Sequence, residues 1–211
     1  MGEPDRTESD PLGEIHVPRA ALWGAQTQRA IENFAVSGQR IPLRVVHAIA
    51  RIKKAAAAVN ADKGRLPGGL RDLITRAADE VIQGTHDAHF PVDVFQTGSG
   101  TSTHMNVNEV IANRANQFAG GSLGAKSPVH PNDHVNLGQS SNDVFPTASH
   151  LAVLALSREE LVPALRGLES ALRRHAEAFD SVVKVGRTHL QDALPIRLGQ
   201  EFAGYASLVA K

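Results

Sequence analysis

Four short segments gather side chains suited to holding a small anion. The first is Gln96-Thr97-Gly98-Ser99-Gly100-Thr101-Ser102, where hydroxyls and two glycines precede a helical pattern. Glycine lets backbone N–H groups approach a ligand, and a helix N-terminus favours negative charge. Ser99, Gly100 and Thr101 are its candidate binding residues. Thr103 stands where a dinucleotide fingerprint needs its third glycine, and no Gly-Lys-Ser/Thr follows, so neither that motif nor a P-loop is present. Ser99 also falls outside a G-x-S-x-G elbow. The second segment is Gln139-Ser140-Ser141-Asn142-Asp143. One such residue serves a helix cap; Ser140, Ser141 and Asn142 together exceed that need and suit a bound carboxylate. The third, Gly186-Arg187-Thr188-His189-Leu190-Gln191-Asp192, offers Thr188 as a donor and His189 as a general acid or base near neutral pH. The fourth is His130-Pro131-Asn132-Asp133-His134. Its two histidines have helical metal-ligand spacing, but Pro131 works against a helical turn there and no third ligand is indicated. It reads as a polar loop, and no metal is assigned.

These segments sit beside helical patterns. Val45, Ile49, Ile52, Ala56 and Val59 form one stripe over 43–60, which Gly64 and Pro67 end. Leu70, Leu73, Ile74, Ala77 and Val81 form another over 69–83, with Gly84 at the place of a C-terminal cap. Val107, Val110, Ile111 and Phe118 mark a third over 104–118, ending at Gly120-Gly121. The pattern over 143–179 carries Val144, Ala148, Leu151, Ala155, Leu161, Leu165, Leu168 and Leu172. A helix of that extent would be roughly 55 Å long at 1.5 Å per residue. Pro146 is placed in its first turn, and Pro163 is expected to kink or interrupt it. Long helices of this kind belong to bundles, whose partner helices this chain largely lacks. Leu198, Phe202, Tyr205 and Val209 begin a further amphipathic helix that runs to Lys211. That ending leads us to expect a portion of a longer protein. Residues 12–18 are expected as a short strand or arm, and 1–11 as disordered.

Composition narrows the partners. Lys and Arg number 22, as do Asp and Glu, so there is no basic footprint for nucleic acid. Cysteine is absent, which removes disulfides, thiolate metal sites and a thiol nucleophile. No apolar run has the length of a membrane span, and the acidic start lacks signal-peptide features. A cytoplasmic protein with no membrane partner is expected. Alanine-rich, with 4 % aromatic residues, the chain is expected to be mainly α-helical. The four clusters offer hydroxyls, amides and histidine with few cations, a set suited to a small polycarboxylate.

Over its whole length the chain resembles the N-terminal portion of a class II fumarase, in the fumarase/aspartase superfamily. The resemblance is carried by Gly13-Glu14-Ile15-His16-Val17-Pro18, Leu22-Trp23-Gly24-Ala25-Gln26-Thr27-Gln28-Arg29-Ala30, Thr97-Gly98-Ser99-Gly100-Thr101 and Met105-Asn106-Val107-Asn108-Glu109-Val110. It continues through His130-Pro131-Asn132-Asp133, Gln139-Ser140-Ser141-Asn142-Asp143-Val144-Phe145-Pro146-Thr147 and Gly186-Arg187-Thr188-His189-Leu190-Gln191-Asp192-Ala193. Thr188-His189 and Ser140-Ser141-Asn142 look like fumarase, where aspartases resemble Thr-Gln and Ser-Thr-Asn.

The resemblance implies an almost wholly helical lyase: an N-terminal domain over 1–138, then the incomplete start of a central long-helix bundle over 139–211. It implies a homotetramer with sites assembled from three subunits, and a place in the tricarboxylic acid cycle. The implied reaction is reversible anti hydration of fumarate to L-malate, with no cofactor. Ser99, Gly100, Thr101, Ser140, Ser141, Asn142 and Thr188 are implied substrate contacts, and His189 the implied catalytic acid/base. His130, Pro131, Asn132 and Asp133 are implied as a second dicarboxylate site. Three departures accompany it. The Gly-Ser-Ser-x-Met-Pro-x-Lys-x-Asn loop that supplies the C3 base does not occur, so this chain alone is expected to be inactive. His104 stands where asparagine is expected, and the cation near the second site is Lys126. The alternatives are an aspartase-type ammonia lyase, or a short non-catalytic subunit that binds dicarboxylates or assembles with a partner.

Overall fold

The computed structural model describes residues 5–211, and it is mainly α-helical as the composition predicts. The chain divides into two compact units, one reaching to Ala152 and one formed by Val153–Lys211.

The first unit opens with a hairpin, β1 (Arg6–Asp10) and β2 (Gly13–Val17), paired antiparallel with Glu8 opposite Ile15. This corrects the expectation of disorder over 1–11; residues 1–4 lie outside the described residues. The polar sequence of β1 is held by charge rather than by apolar packing. Arg6 donates to Glu8 and to the carbonyls of Pro18, Ala21 and Trp23, and Lys126 donates to the Ser9 carbonyl. Helix α1 (Ala25–Asn33) has no side-chain cap of its own. Two carboxylates take its place: Glu8 accepts from Ala25 N at 3.2 Å, and Glu109 accepts from Gly24 N, Gln26 N, Thr27 N and the Thr27 hydroxyl at 2.6–3.1 Å. Burial pushes the Glu109 carboxyl up, and these donors oppose it.

Helices α2 (Leu43–Asp62), α3 (Gly68–Ile82) and α4 (Thr101–Phe118) form where periodicity predicts them. Gly84 ends α3 with φ +79°; Thr85 N bonds Glu80 O and Gly84 N bonds Val81 O, the double closure that a left-handed glycine permits. Gly120 ends α4 in the same way. Helix α4 is buried on nearly every side, and Val107, Val110 and Ile111 meet Ile49, Ile74 and Val81 in the core. The inner face of α2 differs from the aliphatic stripe. Val59 is 51 % exposed, whereas Lys53 and Asn60 are buried with Val46, Ile49 and Ala57. Glu80 ties α3 to α4, accepting from Arg114 at 2.6 and 3.1 Å; that guanidinium, with His86, holds its carboxyl down to about 2.

Helix α5 (Ser141–Leu156) packs Val144, Ala148 and Ala152 into this core. Pro146 is the sixth residue of α5, past the first turn where the sequence placed it. Lacking an N–H, it offers no partner to the Asn142 carbonyl. A wide π-type turn, Ser157–Leu161, follows α5, and α6 (Val162–Ala178) resumes with Pro163 in its first turn. The wide turn is the interruption that Pro163 predicts.

In the second unit α6 packs on α7 (Leu198–Val209) through His175, Phe179 and Phe202. A Cβ on Gly199 would lie 2.3 Å from the Ala176 carbonyl, so only glycine permits this crossing. Between the helices runs a hairpin, β3 (Val183–Thr188) and β4 (Gln191–Arg197), with a register shift between Val185 and Arg187. No helix among the described residues is long and apolar enough to cross a membrane.

Candidate functional site

Two of the segments singled out by residue type come together in the first unit. Ser99 (φ +63°) and Gly100 (φ +63°) are consecutive left-handed residues that turn the chain into α4. That conformation is costly for a non-glycine residue and is found where structure or function enforces it. Gly100 lies directly under the Phe145 ring of α5; a Cβ there would approach Phe145 Cδ2 to 2.3 Å. The bare glycine thus lets the starts of α4 and α5 converge. Thr101 Oγ1 and Ser141 Oγ are 3.0 Å apart as a result.

The donors available at this junction are side chains more than backbone. Gln96 Oε1 accepts from Thr103 N at 2.7 Å, and Thr97 Oγ1 from Ser102 N at 3.2 Å, so two N–H groups at the start of α4 are already used. Ser140 is the cap residue of α5: its Oγ accepts from Asn142 N at 3.2 Å and its carbonyl from Val144 N. Ser141 and Asn142 are free of that duty, and Asn142 is exposed.

Thr188 and His189 belong to the second unit. His189 (φ +48°) and Leu190 (φ +60°) are the two residues of a tight turn joining β3 and β4, and Thr188 pairs with Gln191 at its base. Two-residue turns with both φ positive favour Asn-Gly, because side chains with a full Cβ are strained there. Histidine and leucine fill both places, with Leu190 98 % exposed. The imidazole is thereby exposed at the tip of the hairpin.

The segment from His130 to Asp133 forms a second, separate feature of the first unit. Pro131 does not prevent a helical turn. It takes the first position of the π-type turn Pro131–Val135, where its missing N–H is harmless. His130 Nδ1 accepts from Asn132 N at 3.2 Å and Asp133 N at 3.1 Å, and lies 3.2 Å from Asp133 Oδ2. A cavity of about 160 Å³ is lined by His130, Pro131 and Asn132 together with Lys126, Gln26 and Asp10. Asp133 is absent from that lining. Among the described residues, no three His, Asp or Glu side chains converge as metal ligands would.

Residue type alone missed a buried group between these features. Lys53 Nζ lies 2.9 Å from Asn136 Oδ1 and 3.1 Å from His104 Nε2. The signal that would have found it is a lysine on the buried side of α2, one residue beyond Ile52 of the aliphatic stripe.

Residues 13–211 match the family model Lyase_1, described as lyase. The chain is 59 % identical to "Fumarate hydratase class II 1" of Pseudomonas aeruginosa over 202 residues, covering 96 % of this chain and 44 % of that relative. It is 59 % identical to "Fumarate hydratase class II" of Halobacterium salinarum over 211 residues, all of this chain and 45 % of the relative. Among solved structures it superposes on a recombinant class II fumarase from Schistosoma mansoni with a TM-score of 0.93 at 46 % identity, over 98 % of this chain and 43 % of the other. A fumarate lyase:delta crystallin from Brucella melitensis gives a TM-score of 0.94 at 46 % identity, covering 98 % and 45 %. The chain therefore spans less than half the length of the curated relatives it matches.

Proposed function

Since the chain belongs to the Lyase_1 family and resembles its class II fumarate hydratases, we propose that it supplies donor and acid/base residues for the reversible hydration of fumarate to L-malate. The observation that carries this reading is the junction of α4 and α5, where Thr101 and Ser141 face each other at 3.0 Å beneath the Gly100–Phe145 contact. Ser99, Gly100, Thr101, Ser140, Ser141 and Asn142 then form one half of a carboxylate cradle without a full counter-charge. Thr188 and His189 complete it, in an assembly whose sites draw on more than one subunit.

In the dehydration direction a base removes a proton from C3, and charge builds on the neighbouring carboxylate as an aci-carboxylate. Fixed hydroxyl and amide donors stabilise that charge without reorganising, which is worth most where it develops. His189 protonates the departing C2 hydroxyl, and in hydration accepts the proton of the attacking water. The C3 base belongs to the remainder of the longer protein, and the chain on its own is inactive. The N-terminal domain is read as ending near 138, although the first compact unit runs on to Ala152, and the rest as the start of the central bundle of a cytoplasmic homotetramer acting in the tricarboxylic acid cycle. The cavity beside Lys126 suits a second dicarboxylate at His130, Pro131 and Asn132, with Asp133 at its margin.

The test is made in the natural full-length protein. Thr101→Ala with Ser141→Ala should raise the fumarate KM by about tenfold or more, since each charge-assisted bond contributes roughly 1.5–3 kcal/mol. His189→Asn should lower kcat and leave KM near its starting value. Release of ammonia from aspartate faster than hydration of fumarate would overturn the substrate assignment.

A further inference from the structure

Lys53 is wholly buried on α2, and no ion pair with a carboxylate accompanies it among the described residues. Its Nζ, His104 Nε2 and Asn136 Oδ1 form a closed triangle with edges of 2.9, 3.1 and 2.6 Å. An amide oxygen only accepts, so the 2.6 Å edge requires a proton on His104 Nε2. That nitrogen then has no lone pair for an ammonium, and Lys53 fits as a neutral amine donating to Asn136. Turning the Asn136 amide over leads to the same charge state, because its NH2 would then face Nζ and an ammonium cannot accept. With Oδ1 as placed, His104 Nδ1 is bare, and it has no partner in its buried surroundings.

The cluster joins the two segments that make up the first half of the cradle. His104 lies one turn beyond Thr101 in α4, and Asn136 four residues before Ser140. Asn60, two turns along the same face of α2, donates to the Leu137 carbonyl at 2.9 Å and ties down the same turn. We propose that Lys53, His104 and Asn136 are positioning residues: uncharged, they hold the Ser99–Thr101 turn and the start of α5 at the spacing a dicarboxylate needs, and protonation of Lys53 releases that hold. The inference rests on the reading of those two segments as substrate donors.

The rest of the surroundings leave the cluster isolated. Lys54 of α2 pairs with Asp79 of α3, Glu80 of α3 with Arg114 of α4, and Glu109 of α4 with the start of α1. His134 accepts from His130 N, Asp133 contacts His130, and Arg51, Asp143 and His150 are exposed. Burial alone lowers the Lys53 amine to about 7, and burial with the Lys53 charge lowers His104 to about 4. Lys53 is therefore the member that changes charge near neutrality.

The experiment measures the fumarate KM of the natural full-length protein against pH, for wild type and Lys53→Met. If only the neutral cluster binds, wild-type KM rises about tenfold one pH unit below the midpoint, by the competent fraction. Methionine cannot charge, so Lys53→Met should lack that rise. Superimposable KM profiles would overturn the proposal. A Lys53 amine resonance titrating near neutrality in the wild type supports it without any variant, and a midpoint above about 9 overturns it. If Thr101→Ala and Ser141→Ala leave KM unchanged, the donor reading itself fails. If they raise KM while wild type and Lys53→Met share one profile, only the positioning role fails.

Discussion

At the scale of single residues, the junction of the two helices depends on one missing methyl group. Gly100→Ala would push a Cβ to 2.3 Å from the Phe145 ring and hold an L-residue at φ +63°. Overpacking costs roughly 1–3 kcal/mol and a left-handed alanine about 1 kcal/mol more, so Gly100→Ala should destabilise by about 3 kcal/mol in denaturant unfolding. An unchanged midpoint would remove Gly100 as the reason the helix starts meet. Lys53 makes a second expectation with a definite sign. Burial lowers its amine from the ordinary 10.5 to about 7 in the folded chain, so between those values the unfolded chain binds the proton and the folded chain does not. Stability from this group therefore rises with pH through that window, with a limiting slope of about 1.4 kcal/mol per unit, and its penalty is full below pH 7. Lys53→Met should be stabilised relative to wild type most in mild acid, with the difference shrinking as pH rises; a difference independent of pH would exclude a neutral Lys53. Ser99, Thr101, Ser140 and Ser141 were legible in the sequence because hydroxyls crowd beside glycine and helix starts. Lys53 was not, because a stripe counted from aliphatic residues passes over a lysine whose partners, His104 and Asn136, are remote in sequence.

At the scale of elements, helices with caps or glycine stops encoded nearby were legible, and those completed by distant residues were not. The α3 stop is local, written in Gly84. Helix α1 depends on Glu8 for the Ala25 N–H and on Glu109, far along the chain, for those of Gln26 and Thr27, and nothing beside Ala25 announces either. The β3–β4 hairpin was hidden for another reason: its turn holds His189 and Leu190 where Asn-Gly would signal a hairpin. That mismatch gives a prediction. Replacing His189 with Asn and Leu190 with Gly should stabilise the hairpin, by about 1 kcal/mol in the natural full-length protein, since the left-handed strain is removed. The same double variant should lose hydratase activity. A variant that is more stable and fully active would show that the strained tip carries no chemistry, and His189 would leave the site.

At the scale of the whole molecule, the largest exposed apolar row lies along α6 and the turn before it. Helix α6 has no buried residue; Leu161, Leu165 and Leu168 are 53, 40 and 49 % exposed at helical spacing along one side. Leu151 and Leu154 of α5 are 41 and 47 % exposed. Soluble monomers seldom leave contiguous apolar patches of more than a few hundred Å², so a row of this kind is expected to be covered in an assembly. The periodicity was legible in the sequence; what covers it was not, because a stripe buried within a chain and one buried between chains have the same pattern. The proposed bundle makes the distinction testable. In the natural full-length protein, Leu165→Glu would place a carboxylate in the middle of the row, where burial without a partner is strongly unfavourable. The first unit, whose core is Ile49, Ile74, Val110, Val144 and their neighbours, should keep its own packing. Light scattering should therefore show a smaller species for Leu165→Glu while helical content is largely retained. Because the cradle is read as drawing on more than one subunit, fumarate hydration should fall in proportion to the tetramer lost. A Leu165→Glu protein that stays tetrameric and active would move the interface elsewhere; one that is dissociated yet active would place the donors of both units within a single chain.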